Sequence, residues 1–318
     1  MQASENTPLF QEPIGFGVTY LFPRTKKASK TWRQNASGWT VEGFGNSKVF
    51  DSGAIAVDSP AKFFDFLDKA SRKPCFLIRG QLRPGIAPDG VRRTLYAKGE
   101  APAYFEEVPR RFVAIDADKV TVPGADVFND PEYVADYVRG MLPAEFQDVA
   151  CFVQLSSSAG MAPTGQTLSD VVSLRLWFCT EQAYSSDQLR RWAAAVNNKL
   201  GLRLVDPVLC NAIQAHYIAA PTFLDAKGAA LPDILPRRCF VLDGIEDRIE
   251  ALEIPAVAPR VERLPGEGGS FDGADVQACL DRIGDDQAGY QLPILHACIA
   301  AVRSKGKDLD DAAFIRSV

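Results

Sequence analysis

Phe112-Val113-Ala114-Ile115-Asp116-Ala117-Asp118 is an apolar run that closes on two aspartates spaced i, i+2. Its β-branched and aromatic content predicts a strand over residues 112–116. Residues two apart on a strand point to the same face, so Asp116 and Asp118 reach the same place.

Working outward, the next elements follow in an order that names an architecture. Asp130-Pro131 starts a helix with Val134, Tyr137, Val138 and Met141 on one face, and Ala150 to Leu155 reads as a second strand. Ser173 to Cys179 alternates Leu174, Leu176 and Phe178 against Ser173, Arg175 and Trp177, the period of a half-buried third strand. A second helix runs from near Ser186 through Leu189, Trp192, Ala193, Val196 and Leu200 and stops at Gly201. Ile213 to Ala219 supplies a fourth strand. The order β-α-β-β-α-β is that of a split βαβ, ferredoxin-like sheet, in which the first and third strands are central neighbours and the fourth flanks the first. The fold class is α+β. The connection from Ser156 to Val172 exceeds an ordinary hairpin loop, and loops of that length inside a compact domain carry function or move.

Upstream, residues 1 to about 110 form an α/β unit with one clear helix, capped by Ser59-Pro60 and carrying Phe63, Phe64, Leu67 and Ala70, and one clear strand, Cys75 to Arg79. Downstream, Ile254-Pro255-Ala256-Val257-Ala258-Pro259 and Gly266-Glu267-Gly268-Gly269 mark a linker. The expected organisation is a catalytic-type domain over 1–245 with its palm at about 110–222, a linker over 246–272, and a small helical domain over 273–318. A third helix begun at Asp308 is unfinished at Val318, consistent with a segment of a longer protein.

Composition bounds the function classes. With 318 residues, 47% of them hydrophobic, the chain can bury a sizeable core. Its longest apolar runs fall far short of a bilayer span and no charged-then-apolar leader opens it, which predicts a cytoplasmic protein without a membrane partner. None of the seven cysteines are spaced as C-x-x-C, so neither zinc nor a disulfide framework is expected. A formal net charge of −5 argues against a protein that coats nucleic acid, but local basic clusters remain: Lys26, Lys27, Lys30 and Arg33 around Trp32, and Arg83 in the Gly/Pro-rich loop. Scattered solvated charge is the plain alternative for each cluster.

The aspartates offer hard oxygens of the kind that hold Mg²⁺ or Mn²⁺ in two-metal sites roughly 4 Å apart. Two aspartates closing a strand also occur as simple turn caps, so the pair is not specific alone. Asp206, in Leu204-Val205-Asp206-Pro207, lies between the second helix and the fourth strand, which in the expected sheet sets it beside the first strand as a third ligand; its alternative is a turn residue before Pro207. Ser173 and Arg175 share a face of the third strand, where a guanidinium suits a triphosphate or pairs with an aspartate. Ser157 and Ser158, in Ser156-Ser157-Ser158-Ala159-Gly160, form a rival phosphate-binding loop. His216 either aims at the site from the fourth strand or packs in the sheet beside Tyr217.

Taken together, Ile115-Asp116-Ala117-Asp118, Ser173-Leu174-Arg175 and Val205-Asp206 resemble, in order and placement, the motifs of archaeo-eukaryotic primases: a strand ending in D-x-D, a later S-x-H, then a hydrophobic residue and Asp. Gln214 to Pro221 resembles the segment after the third motif in replication proteins of plasmids, phages and integrative elements. The resemblance covers roughly residues 75–245, and Arg175 stands where the family has histidine. Arginine serves phosphate but does not titrate near neutral pH.

The resemblance implies a template-dependent nucleotidyltransferase, a DNA primase or primase-polymerase of a mobile element. It would use two Mg²⁺ or Mn²⁺ ions held by Asp116, Asp118 and Asp206, bind nucleoside triphosphates, ribo or deoxy, at Ser173, Arg175, Ser157, Ser158 and His216, and take single-stranded DNA along Lys26, Lys27, Lys30, Arg33 and Arg83. A fused or separate replicative helicase is the implied partner. Two other classes fit the same residues: a two-metal nuclease, and a non-catalytic module that binds single-stranded DNA at replication initiation.

Overall fold

The structure is a computed structural model that describes residues 16–25, 28–45, 47–97, 99, 101–161 and 170–256. Lys26, Lys27, most of the expected linker and the expected helical domain over 273–318 lie outside the described residues. The chain is mixed α and β, dominated by sheets. It opens with strands β1 (Phe16–Pro23), β2 (Thr31–Asn35), β3 (Gly38–Glu42) and β4 (Phe50–Val57), followed by helix α1 (Pro60–Ser71) and strand β5 (Phe76–Ile78). The short strands β6 (Gln81–Leu82) and β7 (Phe105–Glu106) precede β8 (Arg110–Thr121), which carries the two aspartates. Helices α2 (Pro131–Gly140) and α3 (Ala144–Gln147) lead to β9 (Cys151–Leu155), β10 (Val171–Tyr184) and α4 (Ser186–Leu200). A 3₁₀ turn (Pro207–Cys210) and strands β11 (His216–Tyr217), β12 (Thr222–Leu224), β13 (Ala230–Leu231) and β14 (Cys239–Leu242) complete it.

Local chemistry explains the helices that frame the site. Ser59 and Asp130 accept from the Lys62 and Tyr133 amides in the first turns of α1 and α2, each of which begins on proline. Helix α4 opens on a capping box between Ser185 and Gln188 and closes on Gly201 at φ +66°, a left-handed position suited to glycine.

Strand β10 lies hydrogen-bonded between β8 and β9, antiparallel to both, so β8-α2-β9 forms a split βαβ around it. The expected fourth strand departs from the sequence reading. Only His216 and Tyr217 are extended, and they pair with β5 in a separate sheet of order β11-β5-β1-β4; β14 instead extends the β8 sheet beyond β9, in order β14-β9-β10-β8. The aspartates also lie inside β8, whose pairing runs on to Thr121, and not at its end.

The two faces of the β8 sheet do different work. Val113, Ile115, Leu174, Leu176 and Val153 face one way and are buried with Val134 and Val138 of α2 and Leu189 and Trp192 of α4. Phe112, Trp177 and Phe152 face the other way and pack with Phe63, Phe64 and Leu67 of α1 and Phe16 and Val18 of β1. Each large side chain so buried contributes ~1.5–3 kcal/mol. Along this second face β8 reads Phe112, Ala114, Asp116, so the apolar layer gives way to polar groups where α1 no longer covers it. A third sheet, β13-β12-β2-β3, joins β12 to β2 in parallel and brings Thr222 beside Thr31.

Candidate active site

Asp116, Arg175 and Gln154 form one row across three strands, because Arg175 is the register partner of Asp116 on β8 and of Gln154 on β9. Side chains directly opposite in an antiparallel ladder share a face, which brings the three together. Arg175 Nη2 lies 2.9 Å from Asp116 Oδ1, and its Nη1 donates to the Tyr217 carbonyl at 2.7 Å. The arginine is 8% exposed. Gln154 donates through Nε2 to the Ile218 carbonyl at 2.6 Å. These two side chains thus strap the segment 216–218 onto the sheet, and that tether explains why β11 lies over the face of the sheet and not at its edge.

One step along the face, Ser173 Oγ donates to Asp118 Oδ1 at 2.6 Å and accepts from the Lys119 amide at 2.9 Å. Asp116, Asp118, Ser173 and Arg175 line a single cavity of about 220 Å³, together with Lys30 and the Ser156–Ser158 loop. Its aromatic wall is Tyr217 with Phe44 stacked on it, ring centres 4.1 Å apart, and Lys30 Nζ sits 5.5 Å from the Phe44 ring centre. A second cavity of about 430 Å³ shares Lys30, Asp118, Ser156, Ser158 and Ser173 with the first. The serine loop is held from outside, since the Trp32 indole donates to the Ser157 carbonyl at 2.8 Å and Arg238, itself paired with Asp233, donates to the Ser156 carbonyl.

Asp206 is not brought to this cavity. It caps the 3₁₀ turn, accepting from the Val208 amide at 3.1 Å, and pairs with Arg203 at 2.8 Å. Among the described residues no group of three or more His, Cys, Asp or Glu is placed to hold a metal ion. The physical reason is the departure of β11: without a fourth strand beside β8, the chain after α4 is free to turn away, and the aspartate caps that turn.

His216 is the first residue of the strapped segment, 1% exposed, its ring 5.4 Å from Trp177. Burial, then the charges of Arg175 and Arg79, hold it well below its ordinary value of 6.5, so the ring is neutral. It lines neither cavity. Of the basic residues expected on nucleic acid, Lys30 lines both cavities; Arg33 and Arg83 are exposed and line neither. Arg79 is a structural residue, donating to the Phe112 and Tyr184 carbonyls, and burial lowers it to about 10.

Gln154, Tyr217, Phe44 and Lys119 were not singled out from sequence. Gln154 had a visible signal, a polar side chain in the apolar run Cys151-Phe152-Val153-Gln154-Leu155. Phe44 and Tyr217 depend on contacts between segments far apart in the chain, and Lys119 on a register shift within β8. No helix among the described residues is long and apolar enough to cross a membrane. Comparison of the chain with protein-family models, with curated proteins and with solved structures finds no match.

Proposed function

We propose that the chain is a template-dependent nucleotidyltransferase of the primase-polymerase type, joining nucleotides on single-stranded DNA during replication of a mobile element. The observation that carries this reading is the meeting of Asp116 and Asp118 in one cavity with Ser173, Arg175 and Lys30. Two carboxylates suit a divalent cation that completes its shell with substrate oxygens, since Mg²⁺ is commonly held by one or two carboxylates plus phosphates. Asp116 and Asp118 would hold Mg²⁺ or Mn²⁺, and the metal would supply charge neutralisation at the transferring phosphate and activation of the attacking hydroxyl.

The protein groups have separable tasks in this reading. Arg175 orients Asp116 and offsets its charge before substrate enters. Ser173 orients Asp118 through the hydrogen bond that its hydroxyl donates. The Phe44 and Tyr217 rings offer a flat apolar wall on which a base or sugar can rest, and stacking of that kind tolerates any sequence. Lys30, with Arg33 on the adjoining strand, provides positive charge for the backbone of a single strand. A helicase would act as a fused or separate partner.

The test incubates the protein with single-stranded template, labelled nucleotides and Mn²⁺, beside an Asp116→Ala/Asp118→Ala variant. Product growth in the wild type alone supports the reading. Template shortening points to a two-metal nuclease, and unchanged DNA binding with no product from either protein points to a non-catalytic binding module.

A further inference from the structure

Among the described residues, Lys119 is the one non-glycine residue with positive φ, at 55°. That conformation crowds Cβ against the backbone and is disfavoured for a lysine. It arises from a bulge in β8: Val172 pairs with Val120 and Leu174 with Ala117, so two steps on β10 face three on β8, and the extra residue falls at Asp118-Lys119.

The bulge interrupts the alternation of β8 at the lysine. Plain alternation would turn Lys119 away from Asp118, to the face where Ile115 and Ala117 are buried with α2 and α4. Lys119 lines the 430 Å³ cavity together with Asp118, and Val127 and Val172 of the α2-side core form part of the same wall. Strain retained at one position beside a candidate site is an observation that calls for a functional account.

The charge balance of that cavity says what it would accept. Lys30 and Lys119 line it against a single acid, Asp118, and among the described residues neither lysine has a carboxylate within ion-pair distance. Ser156 and Ser158, whose hydroxyls lie 3.2 Å apart, and Gly160 at φ +78° complete the wall with groups suited to phosphate oxygens. Arg175 is poorly placed for the same task. Its two terminal nitrogens are engaged by Asp116 and Tyr217, and its Nε is buried without a partner.

We infer that this second cavity binds the polyphosphate of the incoming nucleotide, with Lys119 as its principal grip, and that Arg175 positions Asp116 instead of binding phosphate. The inference rests on the nucleotidyl-transfer reading for its substrate, but polyphosphate binding is measurable without turnover. The probe is inorganic tripolyphosphate with Mg²⁺, titrated by calorimetry into the wild type, Lys119→Ala, Lys119→Arg and Lys119→Gly, with thermal midpoints recorded for each.

Lys119→Ala and Lys119→Gly are expected to weaken binding by roughly ten- to a hundredfold, the loss of one charge-assisted contact, while Lys119→Arg stays near wild type. Lys119→Gly is expected to melt above Lys119→Ala, since the two differ only in the Cβ that the bulge strains. Binding that is absent in the wild type, or unchanged in Lys119→Ala, overturns the inference, as does an alanine variant that melts above the glycine one. Lysine-dependent binding without any product would leave the pocket standing and remove the polymerase reading. Product formation with an unchanged nucleotide KM in Lys119→Ala would do the reverse.

Discussion

Arg175 Nη2 and Asp116 Oδ1 lie 2.9 Å apart across the ladder between β10 and β8, with the arginine side chain 10% exposed and the aspartate side chain 37%. Of the two charges the arginine is the more withdrawn from water, and its second partner is a main-chain carbonyl, that of Tyr217. Arg175→Met should leave that carbonyl without its donor and lower stability by about 1–3 kcal/mol. Arg175→Lys, lacking the planar fork, should keep the charge but lose one of the two contacts, giving an intermediate urea midpoint. Equal midpoints for all three proteins would show that the strap is not held by this residue.

Ser173 Oγ accepts from the Lys119 amide and donates to Asp118, so one hydroxyl sets both the bulge and the carboxylate. Ser173→Ala should cost about 1 kcal/mol and raise the Mg²⁺ concentration needed for half-maximal product formation. A metal titration that superimposes on the wild type would remove Ser173 from the site.

Asp206 caps a turn, and loss of an aspartate cap typically costs about 1 kcal/mol. Asp206→Asn, which retains capping ability, should be closer to wild type in stability than Asp206→Ala, and neither should change the metal titration. A large loss of Mn²⁺ dependence in Asp206→Asn would instead make it a third ligand.

His216 is neutral when folded, because burial and then Arg175 and Arg79 depress it below 6.5. The unfolded chain gains a proton near that pH which the folded chain refuses. Stability should therefore be full above about pH 6.5 and fall below it, by at most about 1.4 kcal/mol per pH unit. Urea unfolding at pH 7.5, 6.5 and 5.5 checks this, and His216→Phe should flatten the profile across that range.

The sequence made the split βαβ legible because each piece declares itself locally. Leu174, Leu176 and Phe178 alternate, Asp130-Pro131 and Ser185 with Gln188 cap helices, and Gly201 ends one. Ile213 to Ala219 misled for the opposite reason. Its apolar residues suit a strand, but what places it is the pair of hydrogen bonds from Gln154 and Arg175, each reaching more than 40 residues along the chain. Strands β1 to β4 were missed because their alternation is blurred by glycines and charges and decided by partners such as β5 and β12. For the site, the two aspartates and Ser173 and Arg175 were readable as strand positions. The bulge at Lys119 was not, since no local residue choice announces it.

The parallel pairing of Thr31 with Thr222 joins two segments 191 residues apart into one sheet. Closing so long a loop before the pairing repays it is entropically demanding, which favours slow folding. It also sets the smallest useful truncation. A fragment begun near residue 75, where the motifs start, would strip β1 and α1 from Phe112, Phe152 and Trp177 and leave β12 without its neighbour β2. Such a fragment would offer an uncovered aromatic face and a bare strand edge, the ingredients of aggregation. Expression trials should therefore begin no later than Phe16.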